Sequence, residues 1–545
     1  MLINAFELSP DSTIETDICV VGAGVAGISF AMEYIDAGYR VCLLESGGIE
    51  ADRVTQSLNW GKNIGFPYFE LDKSRARFFG GTSHFWHIPI GDNRLGVRLR
   101  GLDPIDFEAR DWVPYSGWPF DISHLEPFYR RAHQICRIGP YSYDPADWMS
   151  SEDQRRQPRL TGEEFETTVF QFGDREVFFK TCRDALERSE NIRVFTHANC
   201  VNIAVDDNAQ VVTALQAACL NGPRFNVKAR TYILAAGGIE VPRLLLASNH
   251  VQKAGLGNGN DLVGRFFMEH PHLTSGAFIP ADVEMSHALA FYGMHQVNGV
   301  TIMGKLALND AVKRRERLLN HSIHIAPDFN RSKAYYKRSW SKGYYSGKSL
   351  VYDLKKKKIP RNLKSRLIDV ARDIPSLSRE SYRHFTNRFL KEYVAGERMV
   401  VYRLNHMAEQ VPNPESRVLL DEEKDAFGMN RIKLKWELMP QDLKSMIRTQ
   451  EILSDALKKK GLGRLIIEMK EGETPRFLRG GWHHMGTTRM HVDPKKGVVD
   501  KDCRVHDISN LYIAGASVFP TSGYANPVVT TVALAVRLAD HVKKL

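Results

Sequence analysis

The segment from Asp17 to Glu45 constrains this chain more than any other. Asp17-Ile-Cys-Val-Val21 is a short apolar run between polar residues, as expected of a buried parallel strand. Gly22-Ala-Gly-Val-Ala-Gly27 follows at once, Ile28 to Ala37 reads as a helix ending at Gly38, and Arg40-Val-Cys-Leu-Leu-Glu45 reads as a second strand. This is a βαβ unit with GxGxxG at its first turn and an acid 18 residues after the last glycine. Gly22 permits the tight turn, Gly24 lets a pyrophosphate approach the backbone, and Gly27 lets the helix pack close to the strand. The helix N-terminus then faces the phosphates, and Glu45 can accept a ribose hydroxyl. A glycine turn that serves packing alone is the plainer alternative. The two strands, the helix and the acid together favour a dinucleotide site.

Similar α/β pieces recur far along the chain. Asn191-Ile-Arg-Val-Phe195, Tyr232-Ile-Leu-Ala-Ala236 and Asn510-Leu-Tyr-Ile-Ala-Gly515 read as strands. Helices are expected from about Glu240 and from Pro527 to His541. One doubly wound domain interrupted by insertions accounts for this better than three separate domains. Its parts are 12–99, 166–275 and 480–545. The insertions 100–165, a lid, and 276–479 build the second, substrate-binding domain of α+β type. At 545 residues the chain has length for two to four domains, and no repeat of fixed period is found.

Charge and cysteine usage narrow the classes. The net charge is +10, yet the segment 331–372 alone carries 14 Lys and Arg against two Asp, leaving the remainder slightly acidic. A nucleic-acid-coating protein spreads its basic residues over a folded face, so no nucleic-acid partner is expected. The seven cysteines (Cys19, Cys42, Cys136, Cys182, Cys200, Cys219 and Cys503) form no CxxC and no CxxCH. That argues against a disulfide framework, a zinc ribbon or an attached haem, and fits a reducing cytoplasm. No Cys/His spacing suggests a metal site. No apolar run of about 18 residues offers a spanning helix, and the N-terminal residues have neither the basic nor the apolar part of a signal peptide.

The C-terminal region carries a denser pattern. Gly481-Trp-His-His-Met-Gly-Thr-Thr-Arg-Met490 is followed by Asn510–Gly515, Phe519-Pro-Thr521 and Asn526-Pro527. Upstream stand Gly80-Gly-Thr-Ser83, Ile233–Glu240 leading into Pro242-Arg-Leu-Leu-Leu246, Gly264-Arg-Phe-Phe-Met-Glu-His-Pro271 and Pro412-Asn-Pro-Glu-Ser-Arg417. In this order the pieces resemble the glucose–methanol–choline (GMC) oxidoreductase family of FAD enzymes, over nearly the whole chain except about 310–400. Trp118-Pro-Phe-Asp121 and the HxxGTT form look most like its sugar-oxidising, pyranose-oxidase-like members. The GxGxxG turn does not itself separate NAD from FAD; the resemblance implies FAD.

Carried over residue by residue, the family's catalytic pair falls on His483, three residues before Gly486-Thr487, and on Asn526. Oxidising an alcohol needs a base for the O–H proton and an acceptor for the C–H hydride, which the resemblance assigns to the flavin. The resemblance places Gly22, Gly24, Gly27, Glu45, Gly81, Thr82, Ser83, Val201, Ala236, Gly237, Gly515, Ala516 and Pro527 at the cofactor. Asn526 before Pro527 also suits an N-cap followed by N1, and a His-His pair on a loop is commonly structural. The histidine of Glu269-His-Pro271 is read as structural. Some family members attach FAD through a histidine in the glycine loop; that position is Phe85 here, with His84 before it and His87 two after, so non-covalent FAD is expected. The expected substrate is sugar-like and the electron acceptor O2 or a quinone; substrate, acceptor and oligomeric state are not legible. Two alternatives remain: a non-redox FAD lyase of the same fold, and a binding protein using 331–372 on nucleic acid or a membrane surface.

Overall fold

The computed structural model describes residues 1–149, 160–282, 285, 288–328, 363–372, 401–473, 475 and 478–545. Of the basic segment 331–372 only the helix Leu363–Arg372 is described; the rest, Lys355–Lys358 included, lies outside the described residues.

The two strands read from the sequence pair in parallel, Ile18–Val21 with Val41–Leu44, in the register Cys19 to Cys42 and Val20 to Leu43. All eight of their residues are buried, which is why their sequences are continuously apolar. They lie at the centre of a six-stranded parallel sheet in the order Leu2–Asn4, Ile192–Thr196, Val41–Leu44, Ile18–Val21, Thr231–Leu234, Leu511–Ile513. Strands from the beginning, middle and end of the chain thus form one sheet, as the recurring α/β pieces imply.

The helix after the first strand differs from expectation at both ends. It spans Val25–Met32 because Gly24 takes the N-cap position in an extended conformation. Beyond Met32 the chain tightens into turns, with Tyr34 N donating to Ala31 O at 3.0 Å and Asp36 at φ +58°. The helix Gly237–Ala247 begins three residues earlier than expected, and the last helix is Val528–Val542.

A nine-stranded antiparallel sheet forms the second layer. Its path runs Gly463–Ile466, His272–Pro280, Tyr402–Ala408, His321–Pro327, Val300–Leu308, Phe165–Asp174, Arg94–Leu99, Ile88–Gly91, with His295–Val297 added beside Val300–Leu308. Alternation assigns its two faces. Leu306, Leu308, Ile323 and Ile325 pack in one core with Leu453 and Leu457 of the helix Pro440–Lys459. Met303 and His324, at alternate positions on the same two strands, face the cleft against the parallel sheet.

The expected insertion boundaries need correction. Ile88–Gly91, Arg94–Leu99 and Phe165–Asp174 belong to the nine-stranded sheet although they lie before 100 or across 165. Conversely, Ile122–Ile135, inside 100–165, is no lid over the second domain. It packs on the C-terminal helix through Leu125, Tyr129 and Ala132, and Tyr129 Oη meets Thr530 Oγ1 at 2.9 Å. The apolar stripe of this helix matches that of Val528–Val542, and Arg131 pairs with Asp540 at 2.5 Å and also with Glu33. Among the described residues no helix is long and apolar enough to cross a membrane.

Candidate active site

A cleft of about 800 Å³ opens between the two sheets, towards the upper end of ligand sites, which run roughly 300–1,000 Å³. Its two ends are built differently.

At one end the strands of the parallel sheet stop and three helices begin. Gly22 stands at φ +104°, and a Cβ there would lie 2.8 Å from Ala235 O. A Cβ on Gly27 would fall 2.0 Å from Gly22 O, so the helix rests directly on the turn. Gly27 therefore lies behind the cleft lining rather than in it. Gly24, Gly237 and Gly515 line the cleft, and an added Cβ would meet nothing within 4 Å at any of them. Ala236, Ala516 and Pro527 complete this rim. The N-termini of Val25–Met32, Gly237–Ala247 and Val528–Val542 border the same space, giving it unpaired N–H groups and positive dipole ends.

Glu45 is buried and accepts from Ala23 N at 3.0 Å and Gly47 N at 2.9 Å. Burial outweighs these bonds and pushes its carboxyl up. Gly81 and Thr82 line the cleft. Ser83 does not: its Oγ donates to Gly80 O at 2.7 Å and closes the loop. Val201 is likewise outside the lining, half-buried on the strand Asn199–Val205 of a separate four-stranded sheet. Arg75 and Arg77, which the sequence did not single out, line this end and clasp Glu240 at 3.1 and 2.6 Å. Arg243 holds the same carboxylate at 2.9 Å. A glycine cradle at strand ends, a buried acid and helix N-termini fit the adenosine and pyrophosphate of FAD.

At the other end His483 and Asn526 meet. The Asn526 Nδ2 to His483 Nε2 distance is 3.0 Å. Asn526 therefore does not cap: Pro527 occupies the N-cap position, and the amide is turned to the histidine. His483 Nδ1 lies 2.8 Å from His270 Nδ1, whose Nε2 lies 3.2 Å from Ser522 O. His270 is thus in contact with the candidate base, beyond the structural part expected of it. Burial, with the neighbouring His270, His272 and Arg98 charges, holds the His483 pKa far below the ordinary imidazole value.

His484 is committed elsewhere. Its Nε2 is 2.9 Å from Tyr68 Oη, and Tyr68 donates to Glu269. The other Glu269 oxygen accepts from His270 N at 3.1 Å, Gly481 N at 2.9 Å and His483 N at 3.0 Å. One carboxylate thereby ties both segments bearing the histidine pair, and burial raises it to about 7. Trp482, between them, is held at φ +63° and lines the cleft with Phe85 and His87. His84 faces away, with Nε2 at 2.8 Å from Phe79 O and its ring stacked on Phe179 at 3.9 Å. Arg98, His272, Met303, His324 and Arg479 line the far wall; none was singled out from sequence.

Comparison with known proteins agrees with this architecture. The model of FAD dependent oxidoreductases matches residues 17–347, and that of GMC oxidoreductases matches 412–535. The chain belongs to the FAD-dependent oxidoreductases, and its residues 412–535 carry the C-terminal domain of GMC oxidoreductases. It is 27% identical to the fructose dehydrogenase large subunit of Gluconobacter japonicus, over 98% of each chain. It is 22% identical to 2-methyl-1,2-propanediol dehydrogenase of Mycolicibacterium austroafricanum, over 98% of this chain and 96% of the other. A crystal structure of formate oxidase superposes with a TM-score of 0.55 at 14% identity, over 98% and 99% of the two chains, and shows the shared fold. These comparisons give no support to a non-redox lyase.

Proposed function

We propose that this FAD-dependent oxidoreductase oxidises a CH–OH group of a sugar or sugar-derived compound to a carbonyl, with His483 as base and Asn526 beside it. The fructose-oxidising relative supports the substrate class. The observation that carries the roles is the chain of ring contacts behind His483. The Ser522 carbonyl can only accept, so His270 carries its proton on Nε2 and presents a bare Nδ1. His483 then donates from Nδ1, which leaves the lone pair on Nε2, at the cleft and beside the Asn526 N–H. The tautomer a base needs is therefore set by a backbone oxygen two residues removed in the network. A substrate hydroxyl at Nε2 gives up its proton there, and the Asn526 amide donates to the developing alkoxide. FAD, held by the glycine cradle and Glu45, supplies the two-electron acceptor for the carbon-bound hydrogen.

The same reading extends to attachment and compartment. FAD is held without a covalent bond: Phe85 occupies the attachment position, His84 is turned away, and His87 Nδ1 is engaged by Phe85 O at 2.8 Å. Seven free, buried thiols support a reducing, cytoplasmic setting. The test is a sugar panel assayed with both O2 and an artificial quinone, with product carbons assigned by NMR. Flavin bleached by a sugar without oxygen supports the reading, and no bleaching by any alcohol sinks it. Flavin that stays with the acid-precipitated chain would place the covalent link on a nearby histidine.

A further inference from the structure

The far wall of the cleft carries positive charge that no carboxylate among the described residues balances. Arg98 lies on the strand Arg94–Leu99 beside the histidine cluster and lines the cleft. Its Nε is sealed from water and has no acceptor among the described residues, and no carboxylate there pairs with its guanidinium. Most other buried arginines are matched: Arg75 by Glu240 at 3.1 Å, Arg100 by Asp103 at 2.6 Å, Arg110 by Glu409 and Arg243 by Asp425 at 2.6 Å. Arg489, outside the cleft lining, donates to Tyr115 O and lies over the Phe266 ring. Arg479, exposed at the same wall, also has no carboxylate within pairing distance among the described residues.

Among the described residues no acid of the cleft lining is free to move across. The carboxylates in the cleft lining are Glu45 and Glu240, both at the dinucleotide end. Glu45 is held by Ala23 and Gly47 N–H groups, and Glu240 by three arginines. A cation withdrawn from water without a partner is costly, and a bound anion removes that cost. Arginine's planar fork matches a carboxylate in two parallel hydrogen bonds. Arg98 also bears on the reacting end: after burial and the two neighbouring histidines, its charge is among those that lower His483.

We propose that Arg98, with Arg479 beside it, forms an anion subsite that takes a carboxylate carried by the substrate, so that sugar acids are the preferred donors. This rests on the reading of the chain as an enzyme that oxidises CH–OH groups. The substrate's charged end would lie against Arg98 while its hydroxyl reaches His483 Nε2.

The holoenzyme tests this with matched pairs, a hexose against its uronate and an alditol against its aldonate. The ratio of kcat/KM, acid over neutral, is expected to exceed about 10 in the wild type. It should fall about 10- to 100-fold in Arg98→Met, with partial recovery in Arg98→Lys, the range of a charge-assisted hydrogen bond. FAD content and melting temperature of both variants show that they are folded. A second arm needs no turnover: acetate titrated into the holoenzyme should perturb the flavin absorbance, and bind at least 10-fold more weakly to Arg98→Met. Acid and neutral donors falling together would overturn the subsite, because the charge would then serve the flavin. Acetate acting alike on both forms would overturn it too. If no alcohol of either kind reduces the flavin, the CH–OH reading falls, and the acetate arm alone decides the subsite.

Discussion

The two ends of the cleft solve opposite problems. At the dinucleotide end every charge is matched inside the protein: Glu45 by backbone N–H groups, Glu240 by three arginines. At the reacting end burial disfavours charge on His483, Arg98 and Arg479 face no acid among the described residues, and the polarity of the hydrogen bonds does the sorting. A site that holds one permanent guest can be electrostatically complete before the guest arrives. A site that must take and release a reactant keeps its bonding capacity for that reactant. Substitutions at the two ends should therefore fail in different ways.

The largest separation is expected from His483→Ala. Flavin reduction should drop about 10²- to 10⁴-fold, the weight of a positioned base, while bound FAD measured from the absorbance ratio stays near wild type. Loss of FAD in parallel would break the distinction between the ends. Asn526→Asp should slow reduction by about 10²-fold, since a removed alkoxide donor costs on that order. A carboxylate would also draw the proton onto His483 Nε2 and raise its pKa. Stopped-flow reduction should therefore gain an acid limb that the wild type lacks.

Gly22→Ala sharpens the comparison from the other side. A Cβ 2.8 Å from Ala235 O at φ +104° imposes strain, on the order of 1–3 kcal/mol. The expected result is a lower melting temperature and weaker FAD retention, with near-normal turnover per bound flavin. His484→Phe should cost less than tenfold in reduction, because its Nε2, though the residue borders the cleft, is taken up by Tyr68. A larger fall than that of His483→Ala would reassign the base. The smallest effect is one of pH. Protonation of His483 is suppressed by burial first and by neighbouring charges second. An ordinary histidine titrates near 6.5, so the wild-type reduction rate should not fall as pH drops through that value. A midpoint at about 6.5 would show a solvated base.

What could be read from sequence follows the same divide. Gly22, Gly24, Gly27 and Glu45 lie within one βαβ unit, where spacing and geometry are linked by a single turn. His483 and Asn526 came from resemblance to a family, and no spacing in this chain relates them. Arg98, His272 and His324 stayed hidden because three separate strands bring them to one wall. The alternation of Gly96 and Arg98, or of Met303 and Lys305, is the available signal, and it means little until strand pairing is known. Val201 fell outside the lining because its strand belongs to a side sheet that pairs with Val212–Ala218 instead of the dinucleotide sheet. The N-cap reading of Asn526 was chemically sound but local, and a tertiary partner took the amide.

Gly238 stands one residue inside the helix that opens at the dinucleotide rim, and a Cβ there would sit 2.3 Å from the His484 carbonyl oxygen. The loop carrying the histidine pair is thus seated flush on the helix whose first turn borders the cofactor. The two halves of the cleft share a bearing surface with no clearance. Displacing that helix by the width of a methyl group would carry the neighbouring His483 with it, and reacting groups tolerate errors of only about 1 Å before rates suffer. Alignment between the redox group and the proton acceptor is thereby inherited from backbone contact alone, so it survives changes in the side chains that choose the substrate. The far wall can diversify without disturbing the machinery opposite it.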